Sequence, residues 1–184
     1  MAIKLEARHT MKLLYTLSWI IFVGVCVEAG GILFNSVDTL LVHPAGDENR
    51  WQGTVLSGLY QHDTGYFAVG TLIMSTVAVL KGVIFYLIVK VLHDKKLDLL
   101  QPFNTDMQRF ISRISRLALV TGLFSFYGNS YVGWLVNQGA DMPDAQHSGL
   151  GGGDVWLFMS AILFVVGHIF KRGIEIQTEN ELTI

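Results

Sequence analysis

Residues 13–34 read LLYTLSWIIFVGVCVEAGGILF, a run of 22 with one charge, Glu28. A membrane-spanning helix needs about 20 mostly apolar residues, so this stretch predicts one. Lys4, Arg8 and Lys12 precede it, in the manner of a signal peptide. The run is longer than the roughly 7–15 residues of a signal core, and no convincing Ala-x-Ala site precedes its end. It reads as a retained helix that also serves as the insertion signal.

Three further apolar segments follow: Tyr66–Leu92, Ile111–Val136 and Val155–Phe170. The last is slightly short, and His168, Lys171 and Arg172 can extend it by snorkelling. None carries the strict amphipathic stripe of a soluble helix, and the many short alternating strands of a membrane barrel are absent. The expected fold is all-α: one integral membrane domain, an antiparallel bundle of four transmembrane helices. Composition agrees. The chain is 51% hydrophobic and 15% charged, where soluble domains carry about 25% charge.

Lys and Arg set the orientation. Eleven of 13 lie in the N-terminal tail, the middle segment (Lys90, Lys95, Lys96, Arg109, Arg113, Arg116) and the C-terminal tail (Lys171, Arg172). Arg50 alone lies on the opposite side, and Lys81 lies within the second segment. Both termini are therefore expected in the cytoplasm. The acidic outer loops are 35–65 and 137–154. In the first, Trp51, Leu56, Leu59 and Tyr60 have near-helical spacing and predict a short helix on the membrane surface. In the second, Gly149–Gly153 reads as flexible.

A net charge of −2 gives no field for nucleic acid, and direct binding to it is not expected. The single cysteine, Cys26, excludes an intramolecular disulfide. No Ser-His-Asp set, phosphate loop or zinc spacing is present, so no catalytic residue, metal or cofactor is assigned. His93 and His168 read as interfacial histidines rather than haem ligands.

The intramembrane charges are the first functional candidates. Glu28 and Lys81 each cost roughly 2.5–3.5 kcal/mol at a helix centre and ordinarily face partners. Their depths differ by about 7 Å or about 13 Å, depending on where the second segment begins. The first value allows a pair that fixes helix packing; a ligand-sensing or transport site is the alternative. Transport would require a homo-oligomer.

The second candidate is the cytoplasmic face. Arg109, Arg113 and Arg116 fall on one helical stripe, suited to anionic membrane lipids or to a docking partner. Asn104, Thr105 or Asp106 can cap that helix. The tail continues the fourth helix, with Glu175 and Glu179 as i, i+4 neighbours. These acids are expected to clamp onto the arginine stripe.

The tail, IFKRGIEIQTENELTI over 169–184, resembles the closing motif of the bacterial family of unknown function numbered 2975. Lys171, Arg172, Glu175, Glu179 and Asn180 fall on that motif, and Pro102-Phe103-Asn104 fits the element before the third helix. His168 and Glu181 depart from the usual residues. The resemblance implies a small four-helix protein of the bacterial inner membrane without established activity. It also implies, by association, a cytoplasmic helix-turn-helix transcription regulator as partner.

Overall fold

The computed structural model describes residues 2–41, 59, 63–94, 104–140 and 149–181, with side chains from Thr10 to Asp38 in the first helix. It contains four long helices: α1 (Ala2–Leu41), α2 (Thr64–His93), α3 (Thr105–Asn137) and α4 (Gly153–Glu181). The described residues include no strand. Three helices, α1, α2 and α4, are long and apolar enough to cross a membrane. The third has the length, but Thr121, Ser125, Asn129 and Ser130 dilute its hydropathy.

Local chemistry sets the helix ends. Asp63, in extended backbone, accepts from the amides of Gly65 (2.6 Å) and Tyr66 (3.4 Å) at the start of α2. Asn104 accepts from Met107 at 2.7 Å and is the α3 cap. Helix α3 closes on Gly139 (φ 87°): the Ala140 amide donates to Leu135 and that of Gly139 to Val136. This is a Schellman close, in which glycine takes the left-handed position. Within the helices, hydroxyls of Thr71, Thr76, Thr121 and Ser130 donate to carbonyls four residues back, so these polar groups need no water.

Packing follows chain order, α1 on α2, α2 on α3 and α3 on α4. Among the described residues no comparable interface joins α1 to α3 or α4. The helices of the expected antiparallel bundle thus pack as a row in chain order. Helix α1 packs along one seam, Met11, Tyr15, Ser18, Phe22, Val25, Ala29, Ile32 and Ser36; Gly31, Asn35 and Asp38 are also shielded near its end, and its other described side chains are exposed. The seam steps by alternate threes and fours, the spacing of helices that pack nearly antiparallel.

The α3–α4 interface is built from small residues. A Cβ on Gly122 would lie 2.8–2.9 Å from Leu157, including its backbone nitrogen, and one on Gly153 3.0 Å from the Phe126 amide. Buried Ser115 donates to the Ser160 carbonyl at 3.0 Å. Gly153, Ser160 and Gly167 recur every seven residues on α4, and small residues let membrane helices approach this closely. Polar Ser125 is fully buried in this interface, and its hydroxyl has no hydrogen-bond partner among the described residues.

Leu59 alone is described of the short helix expected in the first outer loop; Trp51, Leu56 and Tyr60 lie outside the described residues. Leu59 is helical, but it is fully buried, 3.6 Å from the Cβ position of Gly70. It packs against α2, where Gly70 leaves space for it.

Gly122→Ala should lower stability in detergent by about 1–3 kcal/mol, because a backbone atom must move. Gly133, with open space around it, should tolerate alanine to within about 0.5 kcal/mol. Ser125→Ala should be neutral or stabilising, since it removes a buried group without a partner. Thermal unfolding of the three purified variants checks the set.

Candidate functional site

Tyr15 and His93 meet through a 3.0 Å hydrogen bond, and Phe22 and Tyr86 are 6.2 Å apart. Continuing that antiparallel register puts Glu28 level with Leu80 and Lys81. The two intramembrane charges therefore share a depth, the arrangement nearest the smaller of the two expected offsets.

They do not form a direct ion pair. Glu28 has no ion pair or hydrogen bond among the described residues, and its side chain is exposed. Lys81 is half-buried, and its Nζ donates to the backbone carbonyl of Gly149 at 2.7 Å. Glu28 approaches the same glycine: Oε1 lies 3.0 Å from the Cβ position of Gly149. One residue separates the two charges.

How does a loop residue reach this depth? Helix α4 begins where Gly153 meets Ser125 and Phe126, about 18 Å along the axis before α3 ends at Asn137. Leu150, 2% exposed, fills a notch over Gly128, with Ile73 beside it; a Cβ on Gly128 would lie 2.8 Å from Leu150 and 2.9 Å from Ile73. Gly149 and Gly152 take φ of 71° and 76°, the left-handed region where glycine carries no penalty. The Gly149–Gly153 stretch, expected to be flexible, is thus an inserted segment at whose base α4 starts.

At the other end, Arg109, Arg113 and Arg116 are exposed on the first turns of α3. Arg116 donates from Nε to the Ser112 carbonyl of its own helix at 3.2 Å. The expected clamp from Glu175 to this stripe is not made. Glu175 pairs with Arg172 one turn away, at 3.0 Å. The i, i+3 partner on the same helix costs less ordering than one on a neighbouring helix. Lys171, Glu179 and Asn180 are exposed on the polar extension of α4, which continues as expected to Glu181. His93 meets Tyr15, and His168 stacks obliquely on Phe164, 5.0 Å between centroids. No group of three metal-binding side chains occurs among the described residues.

Helices packed antiparallel in chain order place the N-terminal part of α1, the end of α2, the start of α3 and the extension of α4 at one end of the row. Among the described side chains, that end carries Lys12, Lys90, Arg109, Arg113, Arg116, Lys171 and Arg172. Nothing in the sequence marks Gly149 as the residue that joins Glu28 and Lys81; the slightly short fourth segment was the available signal.

Together these features define a small α-helical membrane protein with an inserted segment before α4 and a cationic end. Residues 51–184 match the family described as "Protein of unknown function (DUF2975)", and the chain belongs to it. No curated protein and no solved structure matches.

Lys81→Met should cost about 1–3 kcal/mol of stability, because the Gly149 carbonyl is left without a donor in an apolar setting. Gly149→Ala should cost a comparable amount through its left-handed backbone. Adding Glu28→Ala to Gly149→Ala should recover only the steric part. Unfolding curves in one detergent compare the four proteins.

Proposed function

We propose that the chain is a non-enzymatic protein of the bacterial inner membrane that crosses four times with both termini in the cytoplasm. Its cytoplasmic end engages a partner protein through the arginine stripe. The cation asymmetry supports that orientation, and the antiparallel row supports a crossing by α3 as well. The observation that carries the docking reading is the exposure of Arg109, Arg113 and Arg116 while the acidic tail is held by its own Arg172. Three uncovered guanidinium groups on one helix face suit an acidic protein surface, since each can take a carboxylate in a two-point bond. The family resemblance nominates a small helix-turn-helix regulator for that role. Anionic lipid occupies the same face when no partner is present.

A second reading has a specific observation in its favour. Glu28 and Lys81 lie level and meet the same residue of an inserted segment, which suits a ligand-sensing site facing the outer side. A transport path would need further copies of the chain, because the row of helices is not closed on itself.

Pull-down in mild detergent should recover the regulator with the wild-type protein and lose it with Arg109→Glu, Arg113→Glu and Arg116→Glu combined. Truncation after Lys171 should leave recovery within about twofold, since the tail does not cover the stripe. Equal recovery with the triple variant, or none with wild type, would count decisively against docking.

A further inference from the structure

Gly149 meets two opposite charges through two of its atoms. Its carbonyl oxygen takes the Lys81 ammonium, and the open substituent position on its α-carbon faces the Glu28 carboxylate. An α-amino acid presents the same geometry, with a carboxylate on one side of the α-carbon and an ammonium on another. We propose that Glu28 and Lys81 form a binding site for a small zwitterion of the α-amino acid class, which the chain itself occupies with Gly149. The inference rests on the ligand-sensing reading and names its ligand.

The present occupant satisfies only half of the site. Lys81 has its acceptor, but the α-carbon of Gly149 offers Glu28 no donor, and Glu28 has no other hydrogen-bond or ion-pair partner among the described residues. An unpaired carboxylate at this depth is costly, and a ligand ammonium would satisfy it. A carboxylic acid or an amine alone would satisfy one charge and leave the other. The zwitterion satisfies both and brings no net charge into the apolar layer.

The surroundings limit the ligand's size and character. Ile32 Cδ1, 3.7 Å from the Cβ position of Gly149, bounds the space beside Glu28. The notch over Gly128 and beside Ile73, filled by Leu150 while the segment is in place, accepts a branched apolar side chain once the segment withdraws. L-leucine therefore suits both parts of the site. The glycines that follow Leu150 provide the freedom to withdraw.

The test follows Leu150. A Leu150→Cys reporter on a Cys26→Ser background, in lipid nanodiscs, is labelled with a maleimide while ligands are added at matched ionic strength. L-leucine at millimolar concentration should raise the labelling rate about threefold or more, by selecting the withdrawn state. 4-Methylpentanoate, which lacks the ammonium, and 3-methylbutylamine, which lacks the carboxylate, should each leave it unchanged. Glu28→Gln should abolish the leucine response, and it removes no hydrogen bond, so folding is not at stake. Lys81→Gln should raise labelling without ligand and also abolish the response.

An equal response to either half-ligand overturns the zwitterion. So does no response to leucine; if Lys81→Gln still raises basal labelling, the wider sensing reading survives that result. If neither substitution changes labelling and leucine has no effect, both fall.

Discussion

A backbone carbonyl held inside an apolar layer needs a donor, because no water is there to supply one. Helices meet this demand internally, and the segment before α4 does not. Its insertion is tolerable because Lys81 reaches the Gly149 carbonyl, and because Gly128 leaves room for Leu150. The start of α4 depends on that arrangement. Without an inserted segment, α4 would have to begin level with the end of α3, and the Gly153–Ser125 and Gly122–Leu157 contacts would slip out of register.

The same constraint explains why the two halves of the row differ. Helices α3 and α4 approach backbone to backbone through Gly122, Gly153 and Ser160. Small residues there give dispersion contact that lipid cannot match, and membrane helices have little else to hold them together. Helix α1 relies on a single seam and a few aromatic contacts to α2. Its other faces are apolar because hydrocarbon is their solvent. The charge on Glu28 sits at the edge of that seam, beside Gly149 of the inserted segment.

Much of the fold was legible in the sequence because the bilayer imposes one-dimensional rules. Run length located the four helices, Asn104 marked the start of α3, and the polar continuation of α4 reached Glu181 as expected. Which helices neighbour which was not legible, since lipid-facing and helix-facing apolar residues look alike by hydropathy. Glu28 and Lys81 stood out by charge alone, but their common contact did not, because Gly149 is 68 positions from Lys81. A glycine cluster reads as flexible until the residues that enclose it are known. Here Gly128, Ile73 and Ile32 make that enclosure, and each reads only as an ordinary spanning-helix residue.

The clamp between tail and stripe failed for a related reason. Opposite charges at the same end of a protein are a weak guide to pairing when each has a closer choice. Glu175 has Arg172 one turn away on the same helix, with little extra ordering required. An exposed pair of this kind contributes little to stability, yet it decides which face remains uncovered. By holding Glu175 along α4, Arg172 leaves Arg109 and Arg113 without an ion pair among the described residues. A cationic face kept clear by a local pair is better suited to an external acidic surface than one already neutralised by its own chain.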